Sequence, residues 1–487
     1  MTQKNESEKT SIWWIRRDLR VEDNQALAAA VGAGETVVPL FIIDPQIVDS
    51  PRMGEHRLAF LWAGLRDLRR SIQERGGDLL VREGDPLQVL TDVVHSTGAS
   101  RIYAEEDYTP YARKRDSAIR KQLSLALVPG LTIAHPDQIS KNDGGPYQVY
   151  SYFMRKWKDR FLGGEYGDLL EGPERIPWEG DLKGDPIPED PGLPEGIPFR
   201  PGQKGAREKL QAFRAGEPPP IHDYEEGRDR PDREGTSKLS PYLHFGMVSI
   251  RRLVSAAEDA MRQAPDQESR AGAETWLEEL IWRDFYISIL YHFPHVLEGN
   301  FRESYDPLIW RNDPEEFADW KQGKTGYPLV DAGMRQLLDL GWMHNRVRMV
   351  VGSFLVKDLL VDWRWGEDWF MERLIDADLA ANNGGWQWVA GTGTDASPYF
   401  RIFNPVSQSE KHDPHGEYIR RYLPELEAVP DEYIHEPWKM PEDVQAESGC
   451  RIGEDYPEPL VDHGKARERT LKAYREAREK SEEGSGQ

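Results

Sequence analysis

The first third of the chain alternates short apolar runs with longer amphipathic ones, and this alternation limits the possible folds more than any other feature. The apolar runs predicted as strands lie at 11–15, 37–43, 79–81, 101–104 and 131–134. The helical patterns between them lie at 24–31, 55–75, 86–96 and 110–125. Strand and helix in turn predict a parallel, doubly wound, Rossmann-like α/β sheet. No GxGxxG sequence follows the first strand, so a dinucleotide site of the usual kind is not expected there.

The composition changes twice after this region. Residues 162–204 are rich in Gly, Pro and acidic residues, which predicts a long linker on the surface. After residue 206 the pattern becomes helical and rich in Trp and Arg, and an amphipathic helix is predicted at 465–480. We therefore predict an α/β domain at 9–138, an interdomain linker at 139–206, an all-α domain at 207–477 and a disordered tail at 478–487.

The net charge of −23 on 487 residues argues, taken alone, against nucleic acid as a partner, although a local basic groove can coexist with an acidic surface. Cys450 is the single cysteine, which excludes an intrachain disulfide and fits a reducing compartment. Because no apolar run approaches 18 residues and no signal peptide is present, we expect a soluble cytoplasmic protein with no membrane partner. The histidines and the cysteine form no HExxH or CxxC pattern, so no metal site is expected.

The segment LIDADLAANNGGWQW at 374–388 carries the strongest chemical signal. On a helix, Asp378, Asn382 and Trp386 fall at i, i+4 and i+8, so a carboxylate, an amide and an indole share one face. Such a row is poor core material but suits the binding of a polar, flat, redox-active ring. The apolar neighbours of Asp376 and Asp378 indicate partial burial, which requires a cation or donors; a solvated acidic pair is the ordinary alternative.

Three further motifs combine polar groups with a predicted helix. In TWLEELIWRDFY at 275–286, Glu279 and Trp282 are i, i+3 neighbours that could bind an unstacked base, although a Glu–Arg pair beside a core Trp is common. In GTSKLSPYLHFG at 235–246, hydroxyls and a lysine precede an apolar helix, which suits a diphosphate but also an ordinary capped helix. In WMHNRVRM at 342–349, Asn345, Arg348 and Met349 share one face.

These motifs, together with WWIRRDLRVEDNQAL at 13–27 and GTDASPYFRIFNP at 393–405, resemble the class I cyclobutane pyrimidine dimer photolyases of the cryptochrome/photolyase family. The resemblance runs from about residue 11 to about residue 477. It implies an α/β antenna domain and an all-α FAD domain, in a monomer that acts on UV-damaged DNA. The implied reaction is light-driven repair, in which excited FADH⁻ donates an electron to a flipped-out pyrimidine dimer, the ring splits and the electron returns.

The resemblance also assigns residues. The residues expected to bind FAD are Tyr224, Thr236, Ser237, Lys238, Leu239, Ser240, Trp276, Arg283, Asn345, Arg348, Asp376, Ala377, Asp378 and Asn382. Those expected to contact DNA or the lesion are Arg228, Glu279, Trp282, Asn345, Arg346, Met349, Trp388, Arg401 and Gln408. Glu279 is expected to stabilise the dimer radical anion and Asn382 to face flavin N5. Trp386, Trp363 and Trp310 are expected to relay electrons from the surface to the flavin.

Several relatives remain as alternatives. A (6-4) photolyase should present a histidine pair near position 345, where Asn345 and Arg346 stand, and a DASH-type cryptochrome would depart from MHNRVRM and NNGGWQW. A signalling cryptochrome shares the fold and flavin, but plant cryptochromes carry an acid at the position of Asn382. A plain flavin oxidoreductase is disfavoured because no acid–base pair accompanies the flavin motifs.

An additional, antenna chromophore is expected in the α/β domain. Methenyltetrahydrofolate, an 8-hydroxy-5-deazaflavin and another flavin are the candidates. The expected binding stretches are 44–61 and 105–116, and the stretch at 105–116 is more similar to that of deazaflavin-using relatives.

Overall fold

The computed structural model describes residues 10–34, 36–178, 182–189 and 192–485. Its internal contacts divide the chain into two compact units. Unit 1 consists of Met1–Leu193, Ile197–Glu217 and Ser237–His292. Unit 2 consists of Pro194–Gly196, Pro218–Thr236 and Phe293–Gln487.

Unit 1 is built on a five-stranded sheet. The strands are β1 (Thr10–Ile15), β2 (Thr36–Ile43), β3 (Leu80–Glu83), β4 (Arg101–Glu105) and β5 (Leu125–Val128). All pairs are parallel and the order is β3-β2-β1-β4-β5, which confirms the predicted doubly wound sheet. Strands β1 and β2 are almost continuously apolar and buried, as expected for a parallel sheet covered on both faces. The strand order reverses between β1 and β4, where such sheets bind their ligands.

The first eleven α-helices of the described residues lie between or after these strands in the chain. They are α1 (Gln25–Ala33), α2 (Pro45–Val48), α3 (Glu55–Gln73), α4 (Pro86–Thr97), α5 (Pro110–Arg120), α6 (Tyr150–Phe161), α7 (Gln203–Phe213), α8 (Tyr224–Gly227), α9 (Ser240–His244), α10 (Ile250–Gln263) and α11 (Gln267–His292). All except α8 belong to unit 1. Side chains of Asn24, Asp85 and Thr109 accept hydrogen bonds from the first turns of α1, α4 and α5 and so fix where these helices begin.

The last predicted strand of unit 1 is wrong. Residues 131–134 are not a strand, and β5 lies earlier, where the predicted helix 110–125 would have ended. The apolar segment instead runs along α11: Asp284 accepts a hydrogen bond from the Ile133 N–H at 3.1 Å, and Arg283 donates to the Leu131 carbonyl at 2.6 Å. Two side chains far away in sequence thus satisfy backbone groups that the pattern had assigned to a sheet.

The predicted linker and tail also contain helices. Residues 139–206 include the whole of α6 and the start of α7, whereas the described part of 162–202 is irregular as predicted. Contacts place α7, α10 and α11 in unit 1, so this unit extends past the predicted boundary at 206. The chain remains helical to Ser485, where the sequence predicted disorder from 478. The i, i+4 pairs Lys472–Glu476 and Arg478–Glu482, at 3.8 and 3.7 Å, support these last turns.

Unit 2 is helical, as predicted for the second half of the chain. Its further helices are α12 (Pro314–Gln322), α13 (Pro328–Leu340), α14 (Asn345–Ser353), α15 (Trp363–Arg373), α16 (Leu379–Ala390), α17 (Pro405–His412), α18 (Glu417–Tyr422), α19 (Glu442–Ser448) and α20 (His463–Ser485). A π-helical turn, Phe354–Asp358, extends α14. An apolar cluster centred on α13 to α16 forms the core and contains the buried Trp320, Trp363 and Trp386. Over the described ranges of the chain, no helix is long and apolar enough to cross a membrane.

Candidate active site

One face of α16 presents polar groups beside open space. Asp378 is the N-cap, and its Oδ1 accepts hydrogen bonds from the N–H groups of Ala380 and Ala381, both at 3.1 Å. One turn later the half-buried Asn382 donates from Nδ2 to the Glu367 carbonyl at 3.0 Å. A Cβ added to Gly385, on the same face, would meet nothing within 4 Å. This face therefore offers an amide and a carboxylate next to a glycine whose added Cβ would meet no heavy atom within 4 Å.

The opposite face of α16 is structural. The buried Asn383 donates to the Val296 carbonyl at 3.0 Å and to the Glu367 carboxylate at 3.1 Å. Gln387, one turn on, donates to the same carbonyl at 2.9 Å and accepts from the Phe301 N–H at 2.8 Å. These amides fix the orientation of α16 and were missed from the sequence, although their i, i+4 spacing beside the predicted row was a visible signal.

Arg348 and Asp376 form an ion pair, which joins two of the residues expected to bind FAD. Arg348 Nη2 lies 2.9 Å from Asp376 Oδ2, and Arg348 Nε donates to the Met343 carbonyl at 2.8 Å. Asp376 is 8% exposed, so the guanidinium provides the cation that a buried carboxylate requires. In this pair the Asp376 carboxylate can accept hydrogen bonds from a neutral heterocycle and the Arg348 guanidinium can donate hydrogen bonds to it, without a net charge in the interior.

The three predicted relay tryptophans share one apolar cluster. Trp386 and Trp363 are buried within it, and Trp310 is a partly buried residue packed against it. Trp363 donates from Nε1 to Asn300 Oδ1 at 2.9 Å. A Cβ on Gly366 would lie 2.1 Å from the Trp386 ring, so only glycine allows α15 to approach α16 so closely. Burial decreases from Trp386 and Trp363 to Trp310, as a relay from the interior to an edge requires.

The residues of unit 2 predicted to contact DNA differ in their availability. Arg346 is paired with Asp229, with Nε 3.0 Å from Oδ1, a partner that the sequence did not reveal. Arg401 is exposed, and its guanidinium lies 5.7 Å from the Phe403 ring. Arg228 lies over the Tyr224 ring at 6.0 Å. Arg401 is therefore better placed than Arg346 to contact a phosphate.

The remaining predicted contacts of unit 2 lie on three helices. Asn345 is the exposed first residue of α14, and Met349 follows one turn later and is half-buried. Trp388 on α16 is half-buried and packs against the apolar cluster, while Gln408 is half-buried on α17. All four positions leave part of the side chain accessible.

Helix α11 of unit 1 carries the other predicted set. Trp276 is buried and packs on Phe213 with ring centroids 5.2 Å apart. Glu279 and Trp282 are both half-buried, so each retains accessible surface. Arg283 lies 3.8 Å from Asp284 in addition to its hydrogen bond to residue 131. The Arg283 guanidinium thus interacts with groups of unit 1, the Asp284 carboxylate and the Leu131 carbonyl. The sequence analysis, which expected a flavin contact for Arg283, did not predict these partners.

The predicted phosphate-binding segment is divided between the units. Thr236 belongs to unit 2, whereas Ser237, Lys238 and Ser240 belong to unit 1. The predicted apolar helix is only the five-residue α9. Lys238 has φ +51°, a left-handed conformation that non-glycine residues seldom adopt and that often occurs at functional sites.

The two stretches expected to bind an antenna meet in unit 1. The Tyr111 hydroxyl donates to Asp44 Oδ2, and the Arg115 guanidinium lies 4.7 Å from the Trp14 ring. Burial raises the pKa of the nearby Glu105 carboxyl to about 7, against the opposing charge of Arg20. Aromatic and charged groups thus gather at the carboxyl end of β1 and β4.

Comparison with known proteins agrees with this fold and these motifs. Residues 11–174 match the family model of DNA photolyase, and residues 276–476 match that of the FAD binding domain of DNA photolyase. The deoxyribodipyrimidine photo-lyase of Halobacterium salinarum is 41% identical over 96% of this chain and 99% of its own. A class III photolyase structure from Agrobacterium tumefaciens has a TM-score of 0.91 at 38% identity, covering 98% of this chain and 99% of its own. A Synechocystis cryptochrome structure has a TM-score of 0.86 at 29% identity, covering 96% of this chain and 100% of its own. With near-complete relatives sharing two residues in five, the chain belongs to the DNA photolyase family.

Proposed function

We propose that this protein uses light and FAD to repair cyclobutane pyrimidine dimers in UV-damaged DNA. The observation that carries the proposal is the face of α16, where Asp378, Asn382 and the open space over Gly385 occur together in a chain 41% identical to a deoxyribodipyrimidine photo-lyase. Bound FAD, fully reduced, supplies the electron that splits the dimer after excitation and takes it back afterwards. The residues of the chain bind and orient the flavin and the lesion, and they exclude water from the site.

The residues of unit 2 fit a flavin. The neutralised pair of Arg348 and Asp376 provides hydrogen-bonding groups without a net buried charge. Asn382 uses Nδ2 for the Glu367 carbonyl, which leaves its Oδ1 as the acceptor on the open side. An acceptor there suits the N–H that a reduced flavin carries at N5. Further proposed FAD contacts are Tyr224, Thr236, Ser237, Lys238, Leu239, Ser240, Trp276, Arg283, Asn345, Ala377 and Asp378.

The lesion requires apolar faces and a few hydrogen-bonding groups. We assign stacking to Trp282 and Trp388, because an unstacked base gains about 1–3 kcal/mol on an aromatic side chain. We assign the polar edges to Glu279 of unit 1 and to Asn345 of unit 2, with Met349 one turn after Asn345 on α14. Taking the bases out of the helix costs on the order of a few kcal/mol, least for a damaged pair. Glu279 in its protonated form would also stabilise the negative charge that develops on the lesion, by donating a hydrogen bond to it from the carboxyl O–H.

The finer assignments follow from smaller observations. The contact between Asp44 and Tyr111 supports an antenna site formed by 44–61 and 105–116, for an 8-hydroxy-5-deazaflavin or methenyltetrahydrofolate. The similarity to a class III enzyme leaves our class I assignment a prediction. We further propose a monomer. We also propose a cytoplasmic location, because the single Cys450 is a free, buried thiol and fits a reducing compartment.

The rival function is a blue-light photoreceptor, because a cryptochrome has a similar structure. The decisive experiment gives photoreduced protein a dimer-containing oligonucleotide under blue or near-UV light. We expect intact thymines to be restored, (6-4) lesions to be left unchanged, and Glu279→Ala to lower the repair yield more than FAD binding. A protein that binds and photoreduces FAD but leaves dimers intact would be a photoreceptor.

A further inference from the structure

Trp282 is stacked on a tyrosine that the sequence placed in a linker. The rings of Tyr150 and Trp282 are parallel within 7°, with centroids 3.6 Å apart. Tyr150 is 8% exposed, and its hydroxyl donates to the Glu278 carbonyl at 2.8 Å. Glu278 precedes Trp282 by four residues, so this is the carbonyl that an α-helix pairs with the Trp282 N–H. Tyr150 therefore contacts both the indole and the helical turn that carries it.

Tyr150 is itself held firmly, because α6 is fastened to α11 at several points. Trp157 donates from Nε1 to the buried Asp284 at 3.1 Å. Lys158 Nζ lies 2.7 Å from Glu274 and 2.8 Å from Glu278. Phe285 meets the Tyr150 ring edge-on, with centroids 5.8 Å apart. A buried ring with these restraints is a fixed support and not a lid that swings away when a ligand arrives.

We propose that Tyr150 is a positioning residue for damage recognition. It holds the Trp282 indole in one plane before DNA binds, so that a flipped base finds its stacking surface already oriented. Preorganisation of this kind strengthens binding by removing the entropy loss that a mobile side chain would suffer. The inference rests on the proposed role of Trp282 in lesion binding.

The test measures the preference of FAD-loaded protein for a dimer-containing duplex over the undamaged duplex at one salt concentration. Tyr150→Leu should lower this preference about 3- to 10-fold, the range expected for an aromatic pair. Tyr150→Phe keeps the ring and should restore most of it. Phe153→Leu is the matched control: Phe153 is buried on the same helix and packs on Phe285 at 5.3 Å. It should leave the preference unchanged.

A double-mutant cycle separates positioning from general damage to the fold. Trp282→Ala should lower the preference at least about fivefold, and Tyr150→Leu should add nothing in that background. If Trp282→Ala has no effect, the proposed lesion role of Trp282 fails. Suppose that Trp282→Ala lowers the preference as expected. The positioning role is then overturned if Tyr150→Leu alone leaves the preference unchanged or raises it. It is also overturned if the effect of Tyr150→Leu adds fully to that of Trp282→Ala in the double variant. Should Tyr150→Leu not fold, Tyr150→Met provides the same comparison.

Discussion

At the scale of single residues, the pair of Arg348 and Asp376 should contribute far more than a surface pair. Arg348→Ala strands a carboxylate that is 8% exposed, and we expect the free energy of unfolding to fall by about 3 kcal/mol, with loss of bound FAD. Arg451→Ala is the matched control, because Arg451 and Glu454 are 67% and 70% exposed and 3.6 Å apart. It should change the free energy by less than about 1 kcal/mol. Equal losses in urea unfolding would contradict the assigned burial.

Asp284 should make folding pH-dependent. Burial raises the pKa of Asp284 from 3.8 to about 6. Because the folded protein binds this proton more tightly, the stabilisation is complete below pH 3.8 and is lost as the pH rises through about 6. Asp284→Asn stays neutral and can still accept the hydrogen bond from Trp157. Relative to wild type it should gain up to about 3 kcal/mol between pH 4 and pH 7 in urea unfolding. A difference that is constant with pH would show that the carboxyl does not titrate as inferred.

At the scale of elements, two substitutions can separate the role of Asp378 as the N-cap of α16 from its proposed role as an FAD ligand. Asp378→Ala removes the cap and should reduce the stability of the apoprotein by about 1 kcal/mol. Asp378→Asn keeps an oxygen for the N–H groups of the first turn, so the melting temperature of the apoprotein should hardly change. If the carboxylate also serves FAD, both variants should retain less FAD after gel filtration. Full FAD content in Asp378→Asn would limit Asp378 to the cap.

The proposed relay tryptophans, Trp386, Trp363 and Trp310, should serve activation and not repair. Trp386→Phe should block photoreduction of oxidised flavin while leaving repair intact after chemical reduction, because phenylalanine is much harder to oxidise than tryptophan. Trp438→Phe is the control, since Trp438 packs on the same cluster outside the proposed relay. Flash absorption spectroscopy reports both outcomes. Normal photoreduction in Trp386→Phe would remove this indole from the relay.

Periodicity predicted the elements better than their partners. Four of the five predicted strands and the helices α11 and α16 followed from patterns of two and of three to four residues, which are local properties. The predictions from sequence were wrong where residues distant in the chain determine the local structure, as at residues 131–134 and in α6. Asp229, the partner of Arg346, lies 117 residues away in sequence, and no local pattern could connect them.

At the scale of the whole molecule, the charge of −23 makes DNA binding a matter of local groups. Affinity for damaged DNA should fall as salt rises, because phosphate contacts release counterions. The slope of log affinity against log salt is negative, and Arg401→Ala should reduce its magnitude by about 1. Arg346→Ala should lower it less, because Asp229 already neutralises Arg346. A slope near zero for the wild type would exclude phosphate contacts altogether.

The hydrogen bond from Asn382 to the Glu367 carbonyl also restricts how this lineage can diverge. A single base change converts an asparagine codon into an aspartate codon. An ionised aspartate at position 382 would place a carboxylate oxygen against the Glu367 carbonyl oxygen, which is a backbone group that no substitution removes. An acid at this position must therefore retain its proton, or α15 must first shift. Asn382→Asp is therefore one nucleotide change away in the genetic code, but it also requires a proton on the new carboxylate or a shift of α15.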